Sequence, residues 1–107
     1  MKTITVSIGR NVGRVRMHDN DWTDFQSDLR TVLESLDVKT YFTGRGWGPW
    51  GQEDLLEEAF TIVGGLPDEA FFPELVGDLS RLAFSYSQEA IALTVGETTF
   101  VSSDAGL

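Results

Sequence analysis

The side chains with the most chemistry to offer in this sequence are arginines and tryptophans set among glycines. Gly44-Arg45-Gly46-Trp47-Gly48-Pro49-Trp50-Gly51 carries two of the three tryptophans. Arg10, Arg14 and Arg16 lie in a second segment, loosened by Gly9 and Gly13. A guanidinium fork matches phosphate or carboxylate oxygens in pairs, and an indole face stacks on bases or cations. Arg10, Arg14, Arg16, Arg45, Trp47 and Trp50 would together hold a small anionic, nucleotide-like ligand. The competing reading gives these arginines to the many acids of the chain and lets the indoles cover the open end of a sheet.

Other chemistry has less to stand on. There is no cysteine and one histidine, which leaves zinc and copper without their preferred ligands. Asp19-Asn20-Asp21 with Asp24 lacks the spacing and distal glutamate of a calcium loop and reads as a helix cap. His18 beside Asp19 resembles an acid–base pair, but no nucleophile elbow or phosphate loop accompanies it. In a strand, Glu57 and Glu58 point to opposite faces and cannot share one proton. These absences lead to the expectation of a non-catalytic protein with no metal and no cofactor.

The bulk numbers set the frame. At 107 residues and 41% hydrophobic content, residues 1–107 are expected to form a single domain with a real core. No apolar run is long enough for a membrane span, and the N-terminus alternates instead of forming a signal core, so the expected location is cytoplasmic. A net charge of −9 argues against direct nucleic-acid binding. Residues 1–18 hold Lys2, Arg10, Arg14 and Arg16 and no acid, whereas all seventeen acids follow from Asp19 onward. The acidic remainder reads as a solvated surface, or as one that imitates nucleic acid or docks on a basic partner, with Asp24 and Asp28 among its exposed helix acids.

The elements that must position these residues follow from periodicity. Ile4, Val6 and Ile8 alternate with Thr3, Thr5 and Ser7, which makes residues 2–9 a half-buried strand. Trp22, Phe25, Leu29, Val32, Leu33 and Leu36 recur at helical spacing behind an Asp19-Asn20-Asp21 cap, and Asp37 ends that helix. Residues 38–43 are rich in strand formers. Four glycines and a proline then forbid a helix or a central strand over 44–51. A loop is expected there, with Trp47 and Trp50 partly open to solvent. Residues 57–64 fit a strand that completes a sheet, although Leu55, Leu56, Ala59, Phe60 and Val63 also fit a helix. Phe72-Pro73-Glu74 starts a second helix carrying Leu75, Val76, Leu79, Leu82, Ala83 and Tyr86. Residues 89–95 read as a near-continuously apolar central strand, Gly96-Glu97 as a turn, and 98–102 as a last strand.

This order is β-α-β-β-α-β with a short extra C-terminal strand. It defines an α+β, ferredoxin-like sandwich, an antiparallel sheet with two helices on one face. Its first and third strands are central neighbours, which would bring the Gly/Trp segment toward Arg10, Arg14 and Arg16. Thr5, Thr40, Tyr41, Thr61 and Thr94 would line the other, open face, a surface suited to a homodimer.

Ile8-Gly9-Arg10, Trp22 with Phe25, Tyr41-Phe42 beside the Gly/Trp segment, and Ser87-Gln88-Glu89-Ala90-Ile91 resemble a group of small uncharacterised bacterial and phage proteins. The resemblance spans most of the chain in short patches. It implies a ferredoxin-like fold and a bacterial or phage origin, and it supplies no catalytic residue. The expected function is therefore that of an interaction protein, an inhibitor docking on a host protein through its acidic face and its Trp/Gly segment. The alternative is a protein that binds or sequesters a nucleotide-like anion.

Overall fold

Alternation along β1 (Lys2–Gly9) turns Ile4, Val6 and Ile8 into the core and leaves Thr3, Thr5 and Ser7 on the other face. The structure is a computed structural model that describes residues 2–49 and 56–103. β1 is flanked on both sides, by β5 (Leu56–Gly65) and by β6 (Ala92–Glu97). β4 (Lys39–Pro49) closes the far edge beyond β5. The order β4-β5-β1-β6 is antiparallel throughout. A small hairpin of β2 (Asn11–Val12) and β3 (Val15–Arg16) follows β1 and turns through Gly13 at φ 60°, a left-handed conformation that glycine adopts freely.

Both helices cover the same sheet face. α1 (Asp19–Ser35) buries Trp22, Phe25, Leu29 and Leu33, and α2 (Phe72–Ser85) buries Leu75, Leu79, Leu82 and Ala83. Their stripes meet Ile4, Val6, Ile8, Phe60 and Ile62 of the sheet in one core. Phe25 stacks on Tyr86 at 4.5 Å between ring centres and meets Trp22 edge-on at 6.1 Å. Asp37 ends the first helix at φ 57°, and the Val38 N–H returns to the Leu33 carbonyl at 3.0 Å. The α+β, ferredoxin-like architecture is thus the one the periodicity implies, and residues 57–64 are strand.

Six local expectations are corrected. The segment Gly44–Pro49 is not a loop: it continues β4, in register with residues 56–61 of β5. Glycine and proline are tolerated there because β4 is an edge strand that pairs on one side only. Residues 92–97 form an edge strand, not a central one, and run straight through the expected Gly96-Glu97 turn. Gly96 pairs with Thr3, and Lys2 forms an ion pair with Glu97 at 2.9 Å. Thr98–Ser102 forms no strand; the Thr98 hydroxyl instead hydrogen-bonds that of Thr3. The N-cap of α1 is His18, with no side-chain cap bond, because the Asp19 carboxylate is taken by Arg10. Thr40, expected on the open face, is in register with Gly64 and so lies on the helix side of the sheet.

Candidate functional site at the Gly9 end of the sheet

Where β1 ends, two glutamates of β5 stand on opposite faces. Glu58 shares the helix-side face with Phe60 and Ile62; Glu57 shares the open face with Ala59 and Thr61. On the helix side, Arg10 is buried to 5% exposure. Its Nε donates to the Met17 carbonyl at 2.9 Å, and its guanidinium pairs with Glu58 at 3.5 Å and with Asp19. A buried guanidinium with this many partners is a structural cation. Arg16 reaches the other oxygen of Glu58 at 3.7 Å and lies 5.7 Å from the centre of the Trp47 ring.

The open face holds the less expected group. Glu57 is only 7% exposed, although among the described residues no helix covers its side of the sheet. Its Oε2 accepts the Asn11 N–H at 2.6 Å. The carboxyl group lies against Gly9, within 2.8 Å of where a Cβ on that residue would stand. Among the described residues no basic side chain pairs with it. A buried carboxylate without a cation is costly unless something completes it. Beside it the Ser7 and Thr61 hydroxyls hydrogen-bond at 2.7 Å.

The structure brings together some of the residues singled out from sequence. Arg10, Arg16 and Trp47 converge around Glu58, and Trp47 is 59% exposed. Arg45 is exposed on β4, in register with Phe60, and Arg14 is exposed on the turn of the β2–β3 hairpin. Trp50 lies outside the described residues. Asp24 and Asp28 are exposed on α1, away from this cluster, and Asp28 accepts the Tyr86 hydroxyl at 2.5 Å. Sequence reasoning set Glu57 aside. Strand alternation gives its face, but its burial depends on Gly9 and Asn11, 46 residues or more away along the chain.

No family model matches the sequence, and no curated protein matches it. Solved structures do. A phage SAM lyase in complex with S-methyl-5'-thioadenosine matches over 90% of this chain and 80% of its own, at 15% identity and a TM-score of 0.60. The apo state of phage SAM lyase matches over 89% and 78%, at 17% identity and a TM-score of 0.63. A DUF3240 family protein from Shewanella baltica matches over 95% and 94%, at 13% identity and a TM-score of 0.55. At such identities the likeness shows the fold, one shared with small bacterial and phage proteins.

The expectation of a non-catalytic protein is corrected by the same comparison. Phage SAM lyase is an enzyme built on this fold, so the lack of a familiar catalytic motif does not set the chain apart from enzymes. Among the described residues no helix is long and apolar enough to cross a membrane.

Proposed function

We propose that this chain binds an adenosine-bearing sulfonium compound of the S-adenosylmethionine class and cleaves it as a lyase. Glu57 carries the reading: a carboxylate buried on the helix-free face, with no cation beside it among the described residues. The positive sulfur or ammonium group of such a ligand would complete it, in surroundings where charge attraction is stronger than in water. The likeness of fold to phage SAM lyase over 90% of the chain supports the same reading.

In the reaction the bond between sulfur and the amino-acid carbon breaks and its electron pair stays on sulfur. The sulfonium becomes a neutral thioether, and the amino-acid fragment's own carboxylate oxygen forms a bond to the carbon that sulfur leaves, so that fragment departs as a lactone and no water is consumed. Charge on sulfur is lost as the bond breaks, so Glu57 holds the substrate more tightly than the transition state. Its role is to bind and orient; acceleration comes from fixing the reacting conformation.

The test is incubation of the purified protein with S-adenosylmethionine, with S-methyl-5'-thioadenosine followed by mass spectrometry. Product is expected, and Glu57→Gln should raise KM about 10–100-fold, the worth of one charged contact. Absence of product together with absence of calorimetric binding of either compound would overturn the reading.

One observation favours a second use of the surface. Along its exposed side α1 carries Asp21, Asp24 and Asp28, with no basic residue between Asp19 and Leu29. That face suits a basic partner protein. Asp21→Lys with Asp24→Lys should slow capture of such a partner and flatten its salt dependence. An unchanged salt slope would count against docking there.

A further inference from the structure

We propose that Gln88 is a positioning residue for the Glu57 carboxylate, acting through the backbone of Asn11; the functional part of this inference rests on the ligand role of Glu57 given above. The Asn11 N–H donates to Glu57 Oε2 at 2.6 Å. The carbonyl of the same residue accepts the Gln88 Nε2–H at 3.0 Å, across a separation of 77 residues. Asn11 is thereby held at both ends, and the donor that aims the carboxylate cannot turn away.

Gln88 is itself anchored. Its backbone N–H donates to the Ala83 carbonyl at 2.8 Å, at the end of α2. The preceding residue, Ser87, sits at φ 55°, a left-handed conformation that a non-glycine residue adopts at a cost. The chain therefore bends sharply where it delivers the Gln88 amide. Gly9 supplies the floor. A Cβ there would stand 2.8 Å from the Glu57 carboxyl carbon and one of its oxygens, so only glycine lets the group lie flat. Floor, donor and anchor come from β1, β2 and the segment after α2, and all act on one side chain.

Substrate kinetics and hydrogen exchange at the Asn11 amide test the assignment together. Gln88→Met keeps the length and packing of the side chain and removes the donor. It should raise KM for S-adenosylmethionine about 10-fold, leave kcat within about 2-fold, and speed Asn11 amide exchange about 10-fold. Gly9→Ala should displace the flexible end of Glu57, retain the fold, and raise KM at least as far as Gln88→Met. Unchanged Asn11 exchange in Gln88→Met would overturn the clamp. Faster exchange with unchanged KM in an active protein would make Gln88 a loop staple only and would equally overturn the proposal. Faster exchange in a protein that neither binds nor cleaves S-adenosylmethionine would leave the clamp standing and defeat the lyase reading instead.

Discussion

Arg10 shows how a single cation ties stability to pH. Its guanidinium holds the Asp19 carboxyl below the ordinary value of 3.8, first through the hydrogen bond and then through its charge. The unfolded chain takes up that proton more readily. The Asp19 contribution is therefore complete above the ordinary carboxylate value and is lost as pH falls through the lowered one. Asp19→Asn is expected to lower Tm at neutral pH and to make the acid limb of the Tm–pH curve shallower. Two parallel curves would refute this. Trp22 supplies a second residue-level test. It is 4% exposed, and its Nε1–H has no partner among the described residues. Trp22→Ala should cost about 3–5 kcal/mol in urea unfolding. Trp22→Phe should cost only about 1 kcal/mol, since it removes a buried donor that is already unsatisfied. Trp47, mostly exposed, should tolerate alanine within about 1 kcal/mol, the scale of its contact with Arg16.

At the scale of elements, two glycines of one strand pair have opposite prospects. Among the described residues, no atom other than those of its chain neighbours lies within 4 Å of a Cβ built on Gly46 of β4. Gly46→Val should therefore raise stability by about 0.5–1 kcal/mol, by lowering backbone entropy and raising strand propensity. A Cβ on Gly64 of β5 would stand 2.7 Å from the Lys39 carbonyl oxygen, a backbone atom that cannot step aside. Gly64→Ala should cost about 1–3 kcal/mol, and a thermal melt of each variant reads the contrast. These elements were not equally legible. β1, α1, α2 and β5 bury one face, so their hydrophobic period is written in Ile4, Val6 and Ile8 or in Trp22, Phe25 and Leu29. The strand through Gly44–Pro49 has no such period, because its residues are mostly exposed and its identity comes from pairing with β5. The same limit hides the Glu57 clamp. Gln88 and Asn11 are polar residues of ordinary surface type, and only the folded chain places them together.

At the scale of the molecule, β1 lies between β5 and β6, with Ser7 opposite both Thr61 and Ala92. The first strand of the sequence is completed by the third and fourth main strands, after two helices have intervened. A ribosome releases the chain in the reverse of the order this sheet needs. While α1 is already free to coil, β1 has no neighbour and must remain open until residues 56–65 and then 92–97 have left the exit tunnel. Pairing across such long loops is slow. Stopped-flow refolding should accordingly show a main phase of milliseconds to seconds, and nascent chains arrested before β6 emerges should be sensitive to protease where the full chain resists it. Isoleucine and valine at Ile4, Val6 and Ile8 are then exposed for much of synthesis, and the dense acids from Asp19 onward, most of them solvated, keep that unfinished chain apart from its neighbours.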